Sequence, residues 1–309
     1  MSTLLLTHRA CLAHDPGDFH PECPDRLRAV LKALDQEAFS ELIRDQAPEA
    51  TLEQLCRVHP RNYVEAILSV RPGPGESVPL DADTAMSQGS AEAALRAAGA
   101  AVAAVDAVMR GEVRRAFCAV RPPGHHAEPS RPMGFCLFSN AVVAARHAQA
   151  AHGVERVAIL DFDVHHGNGS QACVERDASI LYASTHQSPL YPGTGDATER
   201  GVGNVFNVPL PPGTDGTTFR EAWENALLPA TDRFAPGLVV ISAGFDAHAR
   251  DPLAQLRLRE ADFAWLTEAL CMLAERHCGG RVVSILEGGY DLEALAHSTA
   301  AHVLALMRS

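Results

Sequence analysis

Two aspartates, two histidines and an asparagine fall within eight residues, Asp161-Phe162-Asp163-Val164-His165-His166-Gly167-Asn168. Oxygen and nitrogen donors packed this closely suit a divalent transition metal, whereas capping a helix would need only one of them. In an extended strand residues two apart share a face. Asp161, Asp163 and His165 are therefore expected on one face, with Phe162 and Val164 on the other. A second run, Ala243-Gly244-Phe245-Asp246-Ala247-His248 followed by Asp251-Pro252-Leu253, offers Asp246. Asp163, His165 and Asp246 would form a set of three that leaves a coordination position open, as a catalytic metal requires. A third run, Arg121-Pro122-Pro123-Gly124-His125-His126, places two imidazoles on a stiff loop, and a fourth, Glu287-Gly288-Gly289-Tyr290, projects a phenol. Taken singly, the histidine pair reads as a surface turn, Asp246 as a turn or cap residue and Tyr290 as a half-buried turn residue. Taken together they suit hydrolysis of an amide. The metal would acidify water and polarise a carbonyl, and His125 or His126 would take the proton and return it to the leaving amine. Tyr290 would hydrogen-bond the oxyanion, a contribution of about 3–4 kcal/mol in a dry site. Asp161 and Asn168 would orient the histidines.

Each run follows an apolar, β-branched segment. Strands are predicted over 3–7, 116–120, 157–162, 180–183, 205–208, 238–242 and 282–286. Continuous runs such as VAIL and LVVIS suit strands buried on both faces of a parallel sheet. Helical spacing predicts helices over 24–43, 90–109, 140–152, 219–233, 260–276 and 292–307. This alternation predicts an α/β fold of three layers around one mainly parallel sheet. Residues 1–309 are read as a single domain, with ligands gathering beyond the carboxyl ends of the strands.

Composition narrows the partners. The 309 residues are 47% hydrophobic and carry 26 basic against 38 acidic side chains, a formal net charge of −12. A broad phosphate-gripping surface is not expected, so no nucleic-acid partner is assigned; an acidic field suits a cationic substrate. The eight cysteines form no CxxC pair and read as reduced, mostly buried thiols. The N-terminal stretch has no signal-peptide pattern. The most apolar stretch, 91–109, carries Glu92, Arg96 and Asp106 and so does not read as a membrane span. A cytoplasmic location is expected, and a homo-oligomer is compatible with the sequence.

The ordered runs HPECPDRL (20–27), RPPGHHA (121–127), GFCLFSN (134–140), DFDVHHGNGSQ (161–171), SAGFDAHARDPLA (242–254) and EGGYDL (287–292) resemble the histone deacetylase superfamily, which is similar in fold to the arginases. Asn168 and the Arg121-Pro122-Pro123 start resemble class II deacetylases and their bacterial relatives, among them acetylpolyamine amidohydrolases and acetoin-utilisation proteins. The resemblance implies zinc, with ferrous iron as the alternative, held by Asp163, His165 and Asp246. It assigns acid–base work mainly to His126 with Asn168 near it, pairs His125 with Asp161, and makes Tyr290 the catalytic tyrosine. Phe135, preceded by Gly134, and Tyr191 match the aromatic walls of an acyl-lysine tunnel, where flat rings clasp a methylene chain. Arg26 matches an arginine near an internal exit cavity. A structural potassium ion would fall to Asp161, Asp163, His165, Ser184 and Thr185.

The leading expectation is a zinc-dependent amidohydrolase acting on an acylated amine such as acyl-lysine. The alternative substrate is an acetylpolyamine. Leu253 stands where polyamine specialists carry an acidic gatekeeper, which tilts the expectation slightly towards lysine-type or other small amides. Two further classes are a non-catalytic acyl-ligand sensor, which the complete residue set disfavours, and a two-metal ureohydrolase. The matching aspartates of a ureohydrolase are missing, so His248 is read as a loop or supporting residue.

Overall fold

The computed structural model describes residues 2–309. Strands β1 (Thr3–Thr7) and β2 (Ile43–Gln46) precede a short antiparallel hairpin of β3 (Ser77–Pro79) and β4 (Ala85–Ser87). There follow β5 (Arg115–Cys118), β6 (Val157–Asp161), β7 (Ile180–Gln187), β8 (Val205–Leu210), β9 (Leu238–Ala243) and β10 (Val282–Leu286). All but the hairpin form one sheet in the order β2-β1-β5-β10-β9-β6-β7-β8, and every pairing in it is parallel. The helices are α1 (Pro24–Leu34), α2 (Leu52–Cys56), α3 (Arg61–Ser69), α4 (Ser90–Met109), α5 (Asn140–His152), α6 (Asn168–Val174), α7 (Gly216–Ala222), α8 (Leu228–Phe234), α9 (Glu260–Cys278) and α10 (Leu292–Arg308). Helices α4 and α5 pack together, as do α1, α9 and α10, and they sandwich the sheet as the strand–helix alternation predicts. The inner strands β5, β10, β9, β6 and β7 are buried along their whole length, which is why they read as unbroken apolar runs, while β2 is an exposed edge.

Three predicted bounds shift by more than two residues. The helix predicted over 24–43 ends at Leu34, because Leu27, Val30 and Leu34 share a face and the next buried residues, Phe39 and Leu42, fall off that stripe; the chain then turns and pairs as β2. Strand β7 continues past the predicted end at 183 through Ser184, Thr185, His186 and Gln187, all buried. Polar residues suggest a strand end, but these have partners: Ser184 Oγ lies 3.0 Å from His186 Nδ1, and Trp223 Nε1 donates to Thr185 Oγ1 at 3.1 Å. The helix predicted over 219–233 starts earlier, where Asp215 caps it by accepting from Thr218 N at 3.1 Å. It then passes through a π-turn at Trp223–Leu227, just before Pro229 removes a backbone donor.

A polar clip joins α4 to α5. Asp106 Oδ1 lies 2.8 Å from His147 Nε2 and 2.6 Å from His152 Nε2. Arg57 Nη1 lies 2.9 Å from His147 Nδ1; a guanidinium only donates, so Nδ1 accepts and Nε2 carries the proton given to Asp106. Burial alone would raise the Asp106 carboxyl, but hydrogen bonds from His147 and His152 outweigh it and hold the group below its ordinary value. A lowered carboxyl makes the folded chain the weaker proton acceptor, so the clip stabilises fully above about pH 4 and fades as pH falls through the lowered value. Asp106→Ala is expected to cost about 1–2 kcal/mol in urea unfolding at pH 7, and the difference from wild type should shrink steadily below about pH 4.

Candidate active site

The site lies at the carboxyl ends of four adjacent strands, β5, β10, β9 and β6. Strand β6 stops at Asp161, so the pleat does not set Asp163 and His165 on a common strand face as the sequence suggests. Two successive turns achieve it instead. Asp161 Oδ1 accepts from Asp163 N at 3.1 Å, and Asp163 Oδ1 accepts from His165 N at 2.9 Å. Each aspartate thus satisfies the N–H two residues on, while Phe162 and Val164 enter the core as expected.

Asp246 follows β9. Its Oδ1 accepts from Val164 N at 2.9 Å, and Asp163 Oδ2 accepts from Gly288 N at 2.8 Å. With those oxygens committed to main chain, Asp163 Oδ1 and Asp246 Oδ2 each face His165 Nδ1 at 3.1 Å. One donor atom from each of Asp163, His165 and Asp246 lies within 4.8 Å of the others. The loop glycine makes room: a Cβ on Gly288 would stand 2.1 Å from Asp246 Oδ2. Burial alone would lower the His165 imidazole, but Asp163 and Asp246 overcome it and lift it to about 10. The two carboxylates thus demand positive charge at this point, and a divalent cation on the same donors would supply it. The donor chemistry fits a transition metal. The Asp106 group also converges, but the guanidiniums of Arg57 and Arg110 touch it and oppose a second dication there.

The histidine pair divides into two roles. His125 Nδ1 lies 3.1 Å from Asp161 Oδ2, which also accepts from Tyr182 Oη at 3.1 Å. Burial would lower His125, but Asp163 and Asp161 raise it well above its ordinary value. Burial lowers His126 well below its ordinary value, and His125 and His165 add to the effect. His126 Nδ1 lies 2.8 Å from Asn168 Oδ1. The Asn168 amide is fixed from its other end, where Nδ2 donates to Glu128 Oε1 at 2.9 Å. The oxygen of Asn168 must therefore face His126, so Nδ1 carries the hydrogen and Nε2 is left free to accept a proton.

Glu287, which the sequence gives no reason to single out beyond its place in EGGYD, fastens this loop. Its Oε2 accepts from Gly124 N at 2.6 Å and His125 N at 3.1 Å, and its Oε1 accepts from Ser242 Oγ at 3.3 Å. Arg26 is buried below Tyr290: its guanidinium lies 4.9 Å from the ring centroid, and it donates to Gly289 O at 2.6 Å and Glu287 O at 2.5 Å. Glu22 bonds both Arg26 at 3.0 Å and Arg121 at 2.5 Å, joining the root of the histidine loop to the tyrosine loop. Burial would raise Glu22, yet Arg121, His14 and Arg26 hold it far below the usual carboxylate range. Burial pushes the Tyr290 phenol well above its ordinary value, so it stays protonated and able to donate.

A cavity of about 200 Å³ leads to these groups. His126, His165 and Tyr290 form its floor, and Gly134, Phe135, Tyr191 and Leu253 its walls. Asp83 and Leu190 also line it and carry no signal in the sequence; Asp83 comes from the β3–β4 hairpin, whose three-residue strands leave little periodic pattern. Gly134 adopts φ +56°, and a Cβ there would meet His126 Cδ2 at 2.3 Å, so only glycine lets the wall lie against that imidazole. Ser184 stands beside Asp161 in the β6–β7 ladder, while the Thr185 hydroxyl turns to Trp223. His248 lies apart from the donor set, with Nε2 3.4 Å from Glu260 Oε1.

A parallel sheet with this site at its carboxyl edge is the arginase/deacetylase-like α/β architecture. The histone deacetylase domain profile matches residues 20–306. The histone deacetylase-like amidohydrolase of Pseudomonas aeruginosa is 44% identical over 278 residues, covering 88% of this chain and 73% of that protein. The human polyamine deacetylase HDAC10 is 38% identical, covering 99% of this chain and 48% of that protein. The crystal structure of the HDA15 HD domain superposes with a TM-score of 0.91 at 37% identity, covering 98% of this chain and 88% of that one. The chain belongs to the histone deacetylase family. No helix among the described residues is long and apolar enough to cross a membrane, and all eight cysteines are free.

Glu287→Leu would strand the Gly124 and His125 N–H groups in a dry site. It is expected to cost about 2–4 kcal/mol in guanidinium unfolding, with Glu287→Gln losing clearly less because its amide oxygen still accepts.

Proposed function

We propose that the chain is a zinc-dependent deacetylase that hydrolyses the amide of an acylated amine such as acyl-lysine. One observation carries this reading: two carboxylates and an imidazole converge in a buried floor beside a histidine free to accept a proton and a phenol able to donate one. Asp163, His165 and Asp246 would hold the ion, zinc or alternatively ferrous iron. When bound, such an ion supplies Lewis acidity to a carbonyl and to water. His126 Nε2 takes the water proton and passes it to the leaving amine, while Asn168 keeps Nδ1 protonated throughout. His125, held by Asp161, adds positive charge beside the reacting atoms. Tyr290 Oη donates to the oxygen that gains charge in the tetrahedral intermediate, and Arg26 beneath the ring keeps it in place. Phe135, Tyr191 and Leu253 enclose the methylene chain of the substrate. A structural potassium ion would fall to the strand-end groups of Asp161, Asp163, His165, Ser184 and Thr185. The free thiols suit a reducing compartment, and we place the enzyme in the cytoplasm.

A kinetic panel of acetyl-lysine peptides, longer acyl-lysines and acetylpolyamines on zinc-reconstituted protein tests the substrate. Higher kcat/KM for acyl-lysine is expected, since the apolar Leu253 offers nothing to a second ammonium; a preference for acetylspermidine would reject that choice. Tyr290→Phe should lower kcat by about 100–1000-fold while hydroxamate binding changes far less. Asp246→Ala should lose zinc and turnover together; normal zinc content with normal turnover would overturn the ligand assignment.

A further inference from the structure

Tyr290 follows Gly288-Gly289, and Gly289 adopts φ +124°. A diglycine gives the phenol no local restraint, so its position must be fixed from elsewhere. Arg26 grips the carbonyl of Gly289 and the ring. The backbone N–H of Tyr290 has a different partner, one used by none of the groups above. Asp251 Oδ2 accepts it at 2.7 Å, and Asp251 Oδ1 accepts from Leu253 N at 2.9 Å. Asp251 is itself only 8% exposed, and its own N–H is held by His248 O at 2.9 Å. One buried carboxylate thus commits an oxygen to each of two segments, the Tyr290 end lying 39 residues along the chain from Asp251. One segment carries the oxyanion donor and the other a wall of the substrate cavity.

We propose that Asp251 is a positioning residue that fastens Tyr290 to Leu253, so that the oxyanion donor and the tunnel wall form one rigid body. The proposal rests on the deacetylase reading of the site. Burial and Asp246 push the Asp251 carboxyl up to about 7, and the main-chain N–H groups it accepts from pull the other way; bonds of this kind are directional, and both here are partly buried. Asp251 touches no reacting atom and acts only through the two backbones. Pro252 has no N–H, so the carboxylate reaches past it to Leu253 and leaves no competing donor in the turn. Asn at this position would keep one acceptor and turn an NH₂ towards the other N–H, breaking one strut; Ser would be too short to keep both.

The experiment is a double-mutant cycle between Asp251→Ala, which removes both acceptors, and Tyr290→Phe on the zinc-loaded full chain, with Asp251→Ser as the second variant should Asp251→Ala fail to fold. It is read by kcat and KM on an acetyl-lysine peptide and by amide hydrogen exchange at residue 290. With Tyr290 intact the Asp251 change is expected to lower kcat by about 10–100-fold, the cost of a catalytic group misplaced by about an ångström. In the Tyr290→Phe background it should lower kcat less than about 3-fold, because the hydroxyl it positions is gone. Exchange at the residue 290 amide should quicken at least about 10-fold. Equal losses of kcat in both backgrounds, or unchanged exchange at residue 290, would overturn the proposal and leave Asp251 a generic fold residue. Failure of wild type to turn over any acyl amide would instead reject the deacetylase reading, and the exchange measurement would still decide whether Asp251 restrains Tyr290.

Discussion

Burying Asp161, Asp163, Asp246 and Glu287 together at one sheet edge, each without solvent exposure, is the constraint from which the rest of this site follows. Carboxylates out of water must be offset by hydrogen bonds and positive charge. Here the bonds come from neighbouring loops in a closed circuit. The loop after β6 lends Asp163 to Gly288 in the loop after β10. That loop lends Glu287 to Gly124 and His125 after β5, and His125 reaches back to Asp161 at the end of β6. The loop after β9 joins by lending Asp246 to Val164. Four loops that share no sequence proximity are held in register because each is tied to another through a buried carboxyl group.

The same concentration of charge separates the two adjacent imidazoles. His125 lies against Asp161 and is driven towards its cation; His126, one residue on, faces two other imidazoles and an uncharged amide and is driven towards neutrality. Neighbours in sequence are therefore held in opposite protonation states, because both are buried and only His125 has carboxylates against it. Glu128 and Asn168 extend that logic outward, since the amide could turn its NH₂ to His126 were it not held by the carboxylate behind it.

Much of this is legible in the sequence, and for a physical reason. Strands buried on both faces must be apolar throughout, so β1 and β10 are found to the residue, and the amphipathic or alanine-rich α4 and α5 are found likewise. Chemistry-bearing residues stand out because polar groups directly after apolar runs need a reason to be there. What escapes notice is of two kinds. Edge and hairpin strands such as β2 and β3 are short and exposed, so burial writes no pattern into them. Supporting carboxylates such as Glu287, Asp251 and Glu22 act on main-chain atoms or on distant arginines, and a sequence does not display which backbone a side chain will meet. Alternation along a strand predicts a shared direction for Asp161, Asp163 and His165, but the cause is a different one: turns, not a pleat, set it.

The circuit of carboxylates has a bearing on how such a scaffold can diversify. Its acceptors are side chains, but most of its donors are backbone N–H groups, which every residue except proline supplies. At 164, where the donor is Val164, the residue identity is therefore of little account to the frame itself. Walls such as Tyr191, Leu253 and Leu190 can be exchanged to admit a different acyl group or amine while the reacting centre keeps its shape. Selectivity and the frame that holds the reacting groups are thus written in separate alphabets, one of side chains at the rim and one largely of main-chain donors beneath the floor, and the first can drift without erasing the second.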